Sequence, residues 1–370
     1  MSTLKVNALN NDGSAIDLPN SFKLGGNPIE QGYTSSATEP SSPNTGDLWW
    51  DSANDTLYQY LNGEFKELSL TTPLVPYTGD RAVFANGFSY TGSANYKKIE
   101  YMAISTDSNA TTFGNLTIGK RGMGAAGASD ASRVVWSPGS NESNTANNVY
   151  DYITTSTLGN ATDFGDSTAN NTYGSGGTTN GTYGLYGLGD TAVEYITIAT
   201  TGNASSFGNL SSSRYSYGAA GNNTRTLFTG GAVSGTRVGT VDYFTPDTAG
   251  NATDFGDLYF NSFDNSPVAT YEIVFTMGGY APSAANFVQK LTIATTGNAT
   301  DYGDLNQARA GANTATDMTT AVVQGGANTS NISQPNIQKF TLATGANSNS
   351  SSGVVADFAG FGGGASGSSS

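Results

Sequence analysis

Cysteine and histidine are both absent from the 370 residues. Without cysteine there is no disulfide framework, no thiolate nucleophile and no zinc-finger pattern. Without histidine there is no Ser-His-Asp triad, no HExxH metal site and no imidazole switch. Charge is scarce too: 12% of residues are charged, against ~25% in ordinary soluble domains. The balance, 15 Lys+Arg against 29 Asp+Glu, leaves −14. Such a surface does not neutralise phosphate, so no nucleic-acid partner is expected. Low charge and the missing histidine also speak against a strongly salt- or pH-gated contact. No apolar run approaches the ~20 residues that cross a bilayer, so no membrane insertion is expected. Residues 1–7 lack the layout of a secretory signal, and an extracellular location would be reached by assembly or lysis.

What is abundant is glycine (48), tyrosine (20) and phenylalanine (17) in a chain that is 36% hydrophobic. Aromatic side chains and frequent Gly, Asn, Ser and Thr, without long helical periodicity, predict many thin strands and an all-β fold.

An internal repeat sets the architecture. The segment 195–210, YITIATTGNASSFGNL, returns at 101–116, 152–167, 243–258 and 290–305, with a degenerate sixth copy from 339 onward. Its aromatic anchors are Phe113, Phe164, Phe207, Phe255, Tyr302 and Phe358, spaced 43 to 56 residues apart. Upstream of each copy lies a short apolar run, ending in Gly-Gly at Gly230–Gly231, Gly278–Gly279 and Gly325–Gly326. A further strand fits before each run, so each unit reads as strands a, b, c and d. Four strands in about 50 residues is the period of a propeller blade. The expectation is a six-bladed β-propeller over 71–361. Gly-Gly would let the chain turn near the crowded axis, and the strand-c and strand-d rings would fill the wedge between blades. Residues 74–77 are the candidate first strand a, with a C-terminal strand as the alternative closure; 362–370 read as a flexible Gly/Ser tail.

Residues 1–70 lie outside the repeat. Segment 1–32 alternates weakly and is expected to order by contact, as an attachment segment. Residues 33–70 combine a Ser/Thr/Pro linker (34–44) with a three-stranded meander over 46–68, turned at Asn62-Gly63. About 25 residues make too small a core to stand alone. The meander is expected to lean on a partner, and self-association as a homotrimer through 1–70 is predicted.

The opening MSTLKVN and the module SPNTGDLWWD (42–51) followed by LNGEF (61–65) resemble virion structural and tail-fibre proteins of tailed phages, especially those of marine cyanobacteria. The TGNATDFGDL repeat resembles the kelch-like propellers of that group, with Phe or Tyr where the kelch motif ends in Trp. The resemblance implies an N-terminal module attached to other virion proteins of the tail or capsid, a C-terminal display domain, and location on the particle. It carries over no catalytic or binding residue.

Candidates for chemistry are few. The pairs Asp163/Asp166, Asp254/Asp257 and Asp301/Asp304 have the oxygens a calcium ion wants. Their counterparts Thr112/Asn115 and Ser206/Asn209 do not, and capping of outer-strand turns is the competing reading. Asn109, Asn160, Asn203, Asn251 and Asn298 head Asn-x-Ser/Thr triplets, which read as c–d turns with an Asx-type hydrogen bond rather than as glycan acceptors. No catalytic residue, cofactor or metal is assigned and no enzyme is expected, although a carboxylate pair of a polysaccharide depolymerase is the third-ranked alternative.

The repeats differ most in their b–c and d–a loops, which share one face of a four-stranded blade. There lie Phe88, Tyr90, Tyr96, Tyr173, Phe260 and Phe263, the candidate contacts to a host-surface glycan or protein. The expected function is a tail-fibre or tail-tip protein that contacts the host. The alternative is a capsid-decoration or tail accessory protein with an architectural role.

Overall fold

The computed structural model describes residues 23–24, 27–28, 33–53, 56–61, 63–67, 79–89, 94–95, 97–123, 127–130, 132–171, 175–348 and 362–367. Among them every regular element is a strand, and the fold is all-β. The chain divides into two compact units, Met1–Thr72 and Pro73–Ser370.

In the first unit, Tyr33–Ser36, Leu48–Asp51, Thr56–Leu61 and Glu64–Glu67 form one four-stranded sheet in that order. The last three are the expected meander. Tyr33–Ser36, whose last three residues read as linker, instead pairs in parallel with Leu48–Asp51. The Trp49 indole fixes this edge by donating to the Ser36 carbonyl at 3.1 Å. Trp49 is buried, stacks on its cross-strand partner Tyr58 at 5.0 Å and meets Phe65 edge-on at 5.3 Å. Such ring pairs add about 0.5–1.5 kcal/mol each beyond the area they bury.

The second unit contains six four-stranded antiparallel sheets. In chain order their b and c strands are Arg81–Ala85 and Lys98–Ala103, Arg133–Trp136 and Asn147–Thr154, Tyr183–Gly187 and Ala192–Thr197, Thr226–Thr229 and Thr240–Phe244, Ile273–Met277 and Ala285–Thr292, and Thr320–Gln324 and Ile337–Thr341. Three residues or more of every b strand are buried in succession. A strand covered on both faces needs an unbroken apolar or small run rather than alternation.

Hydrogen bonds join successive sheets at, or within two residues before, their a strands. Thr179 Oγ1 donates to Ser129 O (3.2 Å), Gly176 N to Tyr217 O (2.9 Å), Asp264 N to Ser216 O (2.7 Å) and Ser266 Oγ to Ala312 O (2.8 Å). Ser366 Oγ donates to Thr316 O (2.7 Å) and Ser129 Oγ to Ser366 O (2.8 Å), linking the sixth sheet to the first and the first to the second. The apolar core is likewise divided into six clusters, each drawn from two neighbouring sheets.

The inner strand of the first sheet is Gly363–Gly367, paired antiparallel with Arg81–Ala85. The expectation of a flexible tail is therefore wrong for these residues, while 74–77 lie outside the described residues. Gly364 shows why the strand reads like a linker. A Cβ there would lie 2.4 Å from Thr314 O and 2.9 Å from the Phe84 ring, so the slot admits no side chain.

Two further expectations are corrected. In four of the c–d turns the Asn does not close its own turn; its Oδ1 accepts a backbone N–H from strand d of the preceding sheet. Asn160 serves Asn115, Asn203 serves Asp166, Asn251 serves Asn209 and Asn298 serves Asp257, at 2.9–3.1 Å. The turn thereby covers an edge strand whose backbone groups would otherwise lack partners. Gly-Gly also has a different reason from crowding at an axis. Gly230 and Gly278 have φ of +65° and +59°, and a Cβ on either would meet Ser262 O or Arg309 O within 2.4 Å. The clash is with the connection leaving the same sheet.

Candidate functional site

Each strand c carries one acid or amide at the same place: Glu100, Asp151, Glu194, Asp242, Gln289 and Gln338, all at most 1% exposed. In the first five sheets the c–d register shifts beside this residue, so a bulge sits there, and bulges re-aim side chains. From the second sheet to the fourth the carboxylate holds the connection arriving from the sheet before. Asp151 accepts from Thr117 N and Oγ1. Glu194 accepts from Thr168 N and Oγ1 and from Ser167 Oγ, and Asp242 accepts from Ser211 N and Oγ.

Two of these carboxylates also meet a cation seven residues beyond the strand-d ring. Lys120 Nζ lies 2.7 Å from Asp151 and Arg214 NH1 lies 2.7 Å from Asp242, with all four side chains fully buried. Desolvation by burial lowers the Lys120 pKa although Asp151 opposes the shift. The third such cation, Arg309, comes from the connection into the sixth sheet, where strand c offers Gln338. Its NH1 donates to Gly325 O and Asn336 O, and burial lowers its pKa to about 10.

At the fourth-to-fifth junction an amide takes over. Gln289 Oε1 accepts from Phe260 N at 2.7 Å, and its Nε2 donates to Phe260 O at 3.2 Å. The backbone is held at both polar groups, leaving the neighbouring side chains outward. Tyr259 is 60% exposed and Phe260 39%. Tyr259 packs edge-on against Phe260 at 4.6 Å, and Phe260 stacks on Phe287 at 4.8 Å and 23°. Phe263 stacks on Tyr280 at 4.9 Å and 25°.

Of the predicted contacts, Phe260 thus belongs to a three-ring group with Tyr259 and Phe287, and Phe263 to a separate pair with Tyr280. Phe88 lies apart, half-buried under the Arg121 guanidinium at 4.6 Å. Tyr90, Tyr96 and Tyr173 lie outside the described residues, as does the anchor Phe358. Phe113, Phe164, Phe207 and Phe255 are buried, each edge-on to the strand-c tyrosine at 5.7–5.9 Å. Tyr302 instead donates its hydroxyl to Leu342 O and receives Lys290 over its ring. The strand-c acids and amides were missed, although each stands directly before Tyr101, Tyr152, Tyr195, Tyr243, Lys290 or Lys339. Tyr259, Tyr280 and Phe287 were missed because exposure depends on how the connection is pinned.

Asp264 follows Phe263, has φ of +53°, and links its neighbours by donating to Ser216 O and accepting from Gly311 N. Burial raises its pKa to about 7, against a lowering hydrogen bond from Ser216. The absence of histidine therefore does not remove titration near neutrality. A cavity of about 80 Å³ is lined by strands of all six sheets, through Ser129, Thr179, Ala220, Val268, Thr316 and Ser366. No three acidic groups converge on a metal-sized site among the described residues. Asp163 accepts from Gly165 N at 2.9 Å.

Compared with known proteins, the chain matches no family model and no curated sequence.

Proposed function

We propose that this chain is a virion protein of a tailed phage, a tail-fibre or tail-tip component that displays a six-bladed, kelch-like propeller to the host surface. The six sheets are its blades, with Gly363–Gly367 closing the ring by completing the first one. Residues 1–70 anchor it to other virion proteins and assemble it as a homotrimer. The carrying observation is a division of labour within the repeat. Strand-c acids and c–d turns recur as frame, whereas the d–a and b–c connections vary, and the one before the fifth sheet holds Tyr259 and Phe260 at the surface, with Phe260 stacked on Phe287 of strand c. Binding residues concentrate on loops held by a rigid scaffold, and the sequence resemblance supplies the particle.

The test is saturable binding of labelled full-length protein to a panel of marine cyanobacterial cells, competed by unlabelled protein. Host-restricted binding is expected. Failure to bind a strain infected by virions that contain the protein contradicts the display role and leaves the architectural one. Light scattering of the full chain is expected to give three times 38.0 kDa.

A further inference from the structure

Building on the display reading, we infer that the aromatic group of Tyr259, Phe260 and Phe287 is a platform for a neutral pyranose of a surface glycan.

The argument starts from rigidity. Phe260 is held at its backbone N–H and C=O by a fully buried amide, and its ring is stacked on Phe287. Tyr259 stands edge-on to that stack and is the most exposed large hydrophobic side chain among the described residues. Little conformational entropy is left to lose when a ligand settles on these rings. A ring face carries negative quadrupole density, and the C–H face of a pyranose presents weakly positive hydrogens to it. Sugar hydroxyls need amides around the rings, and the exposed Asn261 and Asn286 flank Phe260 and Phe287 in the chain.

Charge selects the class of sugar. The group contains no lysine or arginine, its nearest ionisable neighbour in the chain is the acid Asp257, and the whole chain carries −14. Uronic and sulfated sugars would be repelled; a neutral hexose would not. The fourth-to-fifth junction is also where the clamp departs from its usual form. Thr117, Thr168 and Ser211 each give a hydroxyl to a carboxylate, and the equivalent position four residues after the strand-d ring is Tyr259. The hydroxyl has been exchanged for an outward ring, and the carboxylate for Gln289.

The test uses full-length protein on an array of neutral oligosaccharides of glucose, galactose and mannose with their sulfated and uronic counterparts. Binding to neutral members only is expected, reduced at least tenfold in Tyr259→Ala and kept in Tyr259→Phe, with an unchanged unfolding midpoint. Failure to bind any neutral sugar, or equal binding by Tyr259→Ala, overturns the platform. A cell assay separates it from the display reading. Binding that survives periodate but not protease makes the partner a protein and overturns the platform while the display role stands. Sugar binding on the array without binding to any cell leaves the platform and overturns the display role.

Discussion

The third-to-fourth and fourth-to-fifth junctions meet the same demand with different chemistry. In the former, Asp242 takes the hydroxyl and N–H of Ser211 and the guanidinium of Arg214. In the latter, Gln289 takes Phe260 N–H and C=O, and no cation joins it, since Ser262 occupies the place of Arg214. Both pin a connection crossing from one sheet to the next. A carboxylate accepts only, so it needs donors from the connection. An amide accepts and donates, so it holds bare backbone and frees the local side chains for another use. One repeat thus yields an inward-looking junction and an outward-looking one.

The largest effect is expected where the comparison is broken at its charged end. Asp242→Ala leaves Arg214 buried without its carboxylate and should cost about 3–5 kcal/mol, read from denaturant unfolding; a loss below 1 kcal/mol would mean that the pair is not a determinant. At the amide end, Gln289→Glu keeps the acceptor but removes the donor to Phe260 O. A loss of about 1–3 kcal/mol is expected, smaller than for Asp242→Ala. The fifth-to-sixth junction sharpens the contrast, because Arg309 is buried and strand c there carries Gln338 where the fourth sheet has Asp242. Gln338→Glu supplies the carboxylate of the fourth sheet and should raise stability by about 1 kcal/mol; a fall would show that the backbone carbonyls around Arg309 already suffice.

Asp264 adds a pH-dependent term at the outward junction. Its folded pKa of about 7 lies above the ordinary carboxyl value of 3.8. The folded chain therefore keeps a proton that the unfolded chain has lost. Stability falls as pH rises from about 4 to about 7, at up to about 1.4 kcal/mol per pH unit, and levels off above. Asp264→Asn should flatten that slope in unfolding measured at pH 5 and pH 8; an unchanged slope would assign it to other groups.

Much of this was legible beforehand, because repetition makes packing visible. The strand-d anchors and strand-c tyrosines stand out at fixed offsets, and so do the acids before those tyrosines once the copies are aligned. What was not legible depends on neighbours distant in the chain. Asn160 looks like a self-capping turn residue until the edge of the preceding sheet is beside it. Gly363–Gly367 looks like a tail until the slot between Thr314 and Phe84 is seen to exclude side chains. Tyr33–Ser36 hides in a linker composition because its pairing is parallel and across an intervening loop. Phe260 was found as a loop aromatic, but only Gln289 explains why its backbone is fixed.

The most direct test of the outward-looking junction compares two tyrosines of similar exposure. Tyr259, 60% exposed, precedes strand a of the fifth sheet, and Tyr271, 50% exposed, lies between strands a and b at its other end. Neither substitution by alanine should move stability by more than about 0.5 kcal/mol. In saturation binding of the labelled full chain to host cells, Tyr259→Ala is expected to lose affinity at least tenfold and Tyr271→Ala to keep it. Equal effects, or loss with Tyr271→Ala alone, would contradict the assignment of the contact to the d–a connections.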